Sequence, residues 1–254
     1  MVVMSVLGTL QETMPTAEQR LAAKLADLRE RYRGASAQEL LEGFIRNEFP
    51  GEIAVVSSFG SEAVVLLHML SKIDPGTPVI FLNTGKLFGE TLRYRDKLQK
   101  ELGLTDVRSI HPHPDDEKTL DPNGNLWRLN HDACCHFRKV LPLRRALDGF
   151  KAEVSGRKRF QTKARAQMEM IEINEGRIKI NPLANWSLED LNAYMDEHDL
   201  PRHPLVKDGY LSIGCFPCTE RVASAAEYRA GRWAGSDKDE CGIHEPQLVD
   251  GEGI

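Results

Sequence analysis

The chain has 254 residues, 41% of them hydrophobic, which suffices for one large domain with appendages around a real core. A formal net charge of -5 gives no reason for nonspecific attraction to nucleic acid or an anionic membrane, and the longest apolar runs fall well short of the roughly 20 residues that span a bilayer. No basic segment followed by a cleavage site opens the chain, so a cytoplasmic protein is expected, whose five cysteines are reduced thiols for metal binding or catalysis rather than disulfides.

Residues 1–16 carry no strong pattern and read as a loose leader. After Thr16, a candidate N-cap, Leu21, Leu25 and Leu28 recur at helical spacing, and Ser36 opens a second helix through Leu40, Leu41, Phe44 and Ile45. The run Ile53-Ala54-Val55-Val56 then predicts a buried strand, followed by the turn Ser57-Ser58-Phe59-Gly60-Ser61-Glu62 and a helix over 62–70. Strand, Ser/Gly turn and helix together aim backbone N–H groups and hydroxyls at a phosphate, although the Gly-Lys-Ser/Thr ending of a Walker loop is absent. An ordinary serine-capped turn is the plain alternative.

A second unit repeats the pattern: strand Val79-Ile80-Phe81-Leu82, turn Asn83-Thr84-Gly85-Lys86, and a helix over 88–102. Further strands are predicted over 106–110, 153–155 and 178–180. The alternation argues for an α/β fold, a mostly parallel sheet flanked by helices, with ligands at the carboxyl ends of the strands. Both polar turns then share one edge of the sheet.

Four cysteines come in pairs, Cys134 with Cys135 and Cys215 with Cys218, and Cys241 stands alone near the C-terminus with His244 three residues on. Four thiolates suit zinc or an iron-sulfur cluster; adjacent side chains on a helix diverge, which favours a larger cluster over one small ion. Lys139 lies one helical turn beyond Cys135 if 138–147 is helical, or it is a solvated lysine. Arg157, Lys158, Arg159, Lys163 and Arg165 follow a predicted strand, where guanidinium groups bind phosphate or sulfate oxygens in bidentate fashion. Arg229 and Arg232 are three apart, on a helix predicted over 224–229. The polar stretch 235–238 suggests that the Cys241 segment moves as a lid or arm.

Taken together, the Ser-Ser-Phe-Gly and Asn-Thr-Gly turns, Cys134-Cys135-His136-Phe137-Arg138-Lys139, Ser155-Gly156-Arg157-Lys158-Arg159-Phe160-Gln161, Gly214-Cys215-Phe216-Pro217-Cys218-Thr219, Arg229-Ala230-Gly231-Arg232-Trp233 and Glu240-Cys241-Gly242-Ile243-His244 resemble the assimilatory adenylyl-sulfate reductases, relatives of the phosphoadenylyl-sulfate reductases. The likeness runs from about residue 50 to His244. It implies a five-stranded sheet of the adenine-nucleotide alpha-hydrolase type, a [4Fe-4S] cluster on Cys134, Cys135, Cys215 and Cys218, and reduction of activated sulfate to sulfite. The corresponding division is 1–48 as leader and packing helices, 49–222 as nucleotide-binding domain with the iron-sulfur site, and 223–254 as a flexible catalytic segment. In the family's arginine motif Arg159 and Gln161 match, while Lys158 replaces an arginine.

The resemblance implies adenosine 5'-phosphosulfate bound with its adenosine on Ser57, Ser58, Phe59, Gly60, Ser61, Thr84 and Gly85. Its sulfate end faces Lys139, which the family places between cluster and substrate, with Arg229, Arg232 and Lys158 or Arg159. Cys241 attacks the sulfate sulfur, AMP leaves, and thioredoxin or a glutaredoxin-like dithiol protein frees sulfite from the S-sulfocysteine. His244 is expected to lower the thiol's pKa or orient the anion, unless it is a surface histidine. Three rivals stay open: phosphoadenylyl-sulfate reduction, against which the cysteine quartet argues; an ATP-pyrophosphatase-type nucleotide transferase; and a noncatalytic metal-bearing nucleotide-binding module. A homo-oligomer also stays open, and neither nucleic acid nor membrane is expected as a partner.

Overall fold

Two reciprocally capped helices lead into the sheet. The Thr16 hydroxyl accepts from the Gln19 N–H while the Gln19 side chain accepts from the Thr16 N–H, opening α1 (Ala17–Arg31); Ser36 and Glu39 repeat the device for α2 (Ala37–Gly43). The computed structural model describes residues 14–223, 228–236, 238 and 240–244. Most of the expected leader and of the helix over 224–229 lies outside the described residues; Tyr228 and Arg229 fall in a turn.

Strand and helix then alternate: β1 (Ile53–Val56), α3 (Ala63–Ile73), β2 (Val79–Leu82), α4 (Gly89–Glu101) and β3 (Val107–Ile110). Four helices follow, α5 (Pro114–Leu120), α6 (Leu126–Leu129), α7 (His131–Cys135) and α8 (Leu141–Ala146), before β4 (Ala152–Ser155), β5 (Ile171–Asn174), β6 (Arg177–Ile180) and α9 (Leu188–Glu197). The sheet order is β3-β2-β1-β4-β6-β5, parallel throughout except for β5, which runs antiparallel to β6. The expected parallel strands are therefore present, and the expected count of five is corrected to six. The additional edge strand is closed by Glu175 and Gly176, both at positive φ (46° and 76°), a two-residue hairpin turn.

From β1 the chain winds outward to β2 and β3 on one side and to β4 and β6 on the other. Strand order thus reverses between β1 and β4, the place where open α/β sheets leave a crevice at their carboxyl ends. The first sheet face carries most of the core: Val55, Val79, Phe81, Val154, Ile178 and Ile180 pack against residues such as Leu41, Phe44, Val64 and Leu67. On the opposite face Ala54 and Ile80 meet Leu143 and Leu147, and Ile243 from the C-terminal segment packs onto this smaller cluster. Among the described residues no helix is long and apolar enough to cross a membrane.

Candidate active site

The crevice is lined by the residues just beyond β1, β2 and β4. In the first turn Phe59 has φ +49°, a left-handed conformation that costs a bulky residue energy unless its surroundings enforce it. Its fully buried ring meets Phe81 edge-on at 5.3 Å, and its N–H donates to the Ser57 hydroxyl at 3.2 Å. Phe59 thus anchors the turn from beneath while Ser57, Ser58, Gly60 and Ser61 line the cavity. Ser61 donates to the Leu211 carbonyl at 2.6 Å, with Tyr228 Oη 3.0 Å away. After β2, Thr84 lines the cavity; Gly85, at φ +69°, makes the turn and stays outside the lining.

Thr84 also touches the thiol centre, its Oγ1 lying 3.3 Å from Cys215 Sγ. Cys134 and Cys135 end α7, which continues through a π-helical turn, His136–Val140, into α8. Pro142 has no N–H to offer the Arg138 carbonyl, a sufficient reason for the helix to widen there, so the turn bearing Lys139 is not the regular α-turn expected. Buried Arg138 braces this helix against the nucleotide turn: it donates to the Thr84 carbonyl at 2.7 Å and pairs with Glu117 at 2.6 Å and Asp121 at 2.8 Å. Cys215 and Cys218 flank the short turn Phe216–Cys218, and all four cysteines line one small second cavity.

No set of three or more Cys, His, Asp or Glu among the described residues is drawn around a single metal ion. Four thiols bordering one small cavity are a donor set of the kind that both zinc and iron-sulfur clusters take. Burial, joined by the charge of Cys135, pushes the free Cys134 thiol up to about 12, so a metal group must displace its proton. Lys139 borders both cavities. Burial works against its charge, and the Cys215, Cys241 and Cys135 sulfurs outweigh that, raising its pKa.

Cations crowd the opposite wall. Arg229 and Arg232 line the main cavity together with Arg157 and Arg165. Burial, then the nearby Arg165 and Arg232, lower the pKa of Arg229 to about 10, against the opposing charge of Glu240. Arg232 stacks 4.4 Å from the centre of the buried Trp233 ring and lies so close to Gly214 that a Cβ there would strike its guanidinium. Lys158 borders the cavity but is already paired with the buried carboxylate of Glu62. Arg159 turns away, donating to the Met168 carbonyl at 2.8 Å and to Asn185 at 2.5 Å, and does not line the cavity.

The C-terminal segment closes the site. Lys238 pairs with Asp132. Glu240 is gripped by Arg165 at 2.5 and 2.6 Å, accepts from Thr162 Oγ1 at 3.1 Å and lies 3.9 Å from Arg229. Burial alone would raise this carboxyl's pKa; Arg165 and its neighbours hold it below the usual range. Cys241 follows, facing the main cavity, and Gly242 at φ +80° turns the chain so that His244 lines the same cavity. Burial, then Lys179, Arg157, Arg165 and Arg229, push the His244 pKa well below 6.5. A ring with so depressed a pKa is poorly suited to lower a thiol's pKa by its charge. Glu62, Tyr228, Lys179 and Glu240 belong to this arrangement although their residue types alone did not single them out.

A helix-flanked, mostly parallel sheet with its crevice at the strand switch point defines the class, an open α/β fold that takes its ligand at the carboxyl ends of the strands. The family model described as phosphoadenosine phosphosulfate reductase domain matches residues 52–221. An adenosine 5'-phosphosulfate reductase of Mesorhizobium japonicum is 50% identical over 228 residues, 90% of each chain, and one of a Chelativorans species is 47% identical over 87% of this chain and 91% of its own. Among solved structures, a phosphoadenylyl-sulfate reductase from Candida auris in complex with phosphate superposes with a TM-score of 0.66 at 27% identity, covering 83% of this chain and 99% of that one. The chain belongs to the phosphoadenosine phosphosulfate reductase family.

Proposed function

We propose that the chain reduces adenosine 5'-phosphosulfate to sulfite and AMP, with electrons from thioredoxin or a similar dithiol protein, in sulfate assimilation. What supports this is one cavity in which a lone thiol, Cys241, faces Lys139, Arg229 and Arg232 across from the serine turn after β1. The adenosine end sits on Ser57, Ser58, Gly60, Ser61 and Thr84, and the sulfate end among the cations. Cys241 Sγ attacks the sulfate sulfur; an S–S bond forms, the S–O bond to AMP breaks, and the arginines and Lys139 offset charge developing on the leaving phosphate oxygens. A dithiol sulfur then attacks Cys241 Sγ and expels sulfite. Its second thiol resolves the mixed disulfide, supplying two electrons and returning Cys241 as a thiol.

Cys134, Cys135, Cys215 and Cys218 would hold a [4Fe-4S] cluster, which supplies fixed negative charge beside Lys139. In the same reading residues 223–254 form the catalytic segment, and the protein works in the cytoplasm, where thiols stay reduced. The test is turnover with a dithiol reductant on adenosine 5'-phosphosulfate and on its 3'-phosphorylated form. The account expects sulfite, with the higher kcat/KM for the nonphosphorylated substrate. A preference of about tenfold or more for the other, ~1.4 kcal/mol, would overturn the substrate assignment, and absence of sulfite from both would overturn the reading.

A further inference from the structure

Strand β6 carries a charge where a sheet covered on both faces ordinarily holds an aliphatic residue. Ile178 and Ile180 point into the main core, so Lys179 points to the opposite face, yet it is 0% exposed. Directly across the ladder in β4 stands Glu153, 1% exposed, its carboxylate 3.1 Å from the Lys179 ammonium and accepting also from Asn174 Nδ2 at 2.8 Å. Buried ion pairs contribute little net stability over apolar side chains of similar volume. The pair has a further contact: Lys179 Nζ lies 2.9 Å from Nδ1 of His244, three residues beyond the proposed nucleophile.

An ammonium can only donate, so Nδ1 must be the acceptor. Burial, and with it Arg157, lowers the Lys179 pKa, while Glu153 at 3.1 Å and Glu172 favour the ammonium. The proton stays on lysine because ordinary lysine and histidine pKa values differ by about 4 units and because burial, Lys179, Arg157, Arg165 and Arg229 push the imidazole further down still. With Nδ1 occupied, the ring proton resides on Nε2, on a ring that lines the cavity. We infer that Lys179 is a positioning residue: from inside the sheet it fixes His244 as an Nδ1 acceptor and Nε2–H donor, and so docks the Cys241 segment with a hydrogen-bond donor for an anion. His244 in this state cannot take a proton from the Cys241 thiol. Its Nε2–H serves sulfate or sulfonate oxygen. The functional consequence rests on the reading of Cys241 as the sulfonated residue, whereas the tautomer does not.

The test is nitrogen NMR of the intact enzyme labelled with ¹⁵N-histidine, His244 being assigned by the signal lost in His244→Asn. Expected is a protonated Nε2 and an unprotonated, hydrogen-bonded Nδ1, unchanged from about pH 8 to about pH 6, across the ordinary histidine pKa. In Glu153→Gln/Lys179→Met, which removes both charges together, the ring should lose its fixed tautomer and titrate nearer 6.5. Single-turnover AMP release should fall about tenfold or more, the loss of roughly one charge-assisted hydrogen bond, with AMP affinity unchanged. A proton on Nδ1 in the unaltered enzyme, ordinary titration there, or an unchanged tautomer and rate in the double variant would overturn the inference. The predicted tautomer in an enzyme that releases no AMP from adenosine 5'-phosphosulfate would uphold the role of Lys179 and sink the sulfonation reading instead.

Discussion

Lys139 is the residue at which the two cavities meet, and its charge there is opposed by burial and favoured by surrounding sulfur. Its ammonium also lies 5.9 Å from the centre of the Trp233 ring, which Arg232 at 4.4 Å and Lys238 at 5.7 Å share, so one indole meets three cations. Lys139→Met keeps the stem and removes the charge. Iron content should stay near normal while kcat/KM falls by about 10- to 100-fold, the range of roughly 1.5–3 kcal/mol for a charge-assisted hydrogen bond. Unchanged kinetics in a variant with full iron would remove Lys139 from the site. The paired cysteines and Cys241 were legible in sequence because thiols are scarce and their spacing restricts their use. Lys179 and Glu240 were not: a lysine between two isoleucines reads as the solvent face of a strand, and the residues that meet it there, Glu153 and His244, lie far from it in sequence.

At the scale of elements, the C-terminal segment is docked on both sides of Cys241, by Glu240 on Arg165 and by His244 on Lys179, with Ile243 on the apolar cluster between them. Sequence composition suggested a segment that moves; the structure shows it held against the sheet end by these contacts. Glu240→Gln keeps the shape and loses the charge, so backbone hydrogen exchange over 240–244 should accelerate by the equivalent of roughly 1.5–3 kcal/mol. An unchanged exchange rate would make the ion pair incidental.

Docking should also depend on pH. A released His244 binds a proton near 6.5 and the docked one does not, so docking is constant above that value. It weakens as pH falls below it, by up to about 1.4 kcal/mol per unit. Glu240, with a depressed pKa, contributes above about 4.5 and loses its contribution only as pH falls through its lower folded value.

Across the whole molecule, the parallel strands and both polar turns were readable because buried strands are short, continuous apolar runs bounded by Ser, Gly and Asn. The edge strand β5 escaped because Ile171-Glu172-Ile173-Asn174 is short and alternating, and its strongest sign was the Glu175-Gly176 turn. The π-helical turn before Pro142 escaped because periodicity over so few residues cannot tell a regular turn from a widened one. Fold and thiol pattern come together in a prediction about composition: anaerobically purified protein should hold about four iron and four sulfide per chain, and serine at any one of the four paired cysteines should lose cluster and activity together. Stoichiometric zinc without iron in active protein would contradict it.

The central claim is that this sheet edge exists to present activated sulfate to Cys241. Its most direct measurement is peptide mass spectrometry after incubation with adenosine 5'-phosphosulfate and no reductant. The account predicts AMP released once per active site, a sulfonate on the Cys241 peptide, discharge of that sulfonate as sulfite by reduced thioredoxin, and no adduct in a Cys241→Ser variant that still binds AMP. A sulfonate mapped to one of the paired cysteines, or substantial sulfite production by the serine variant, would contradict it.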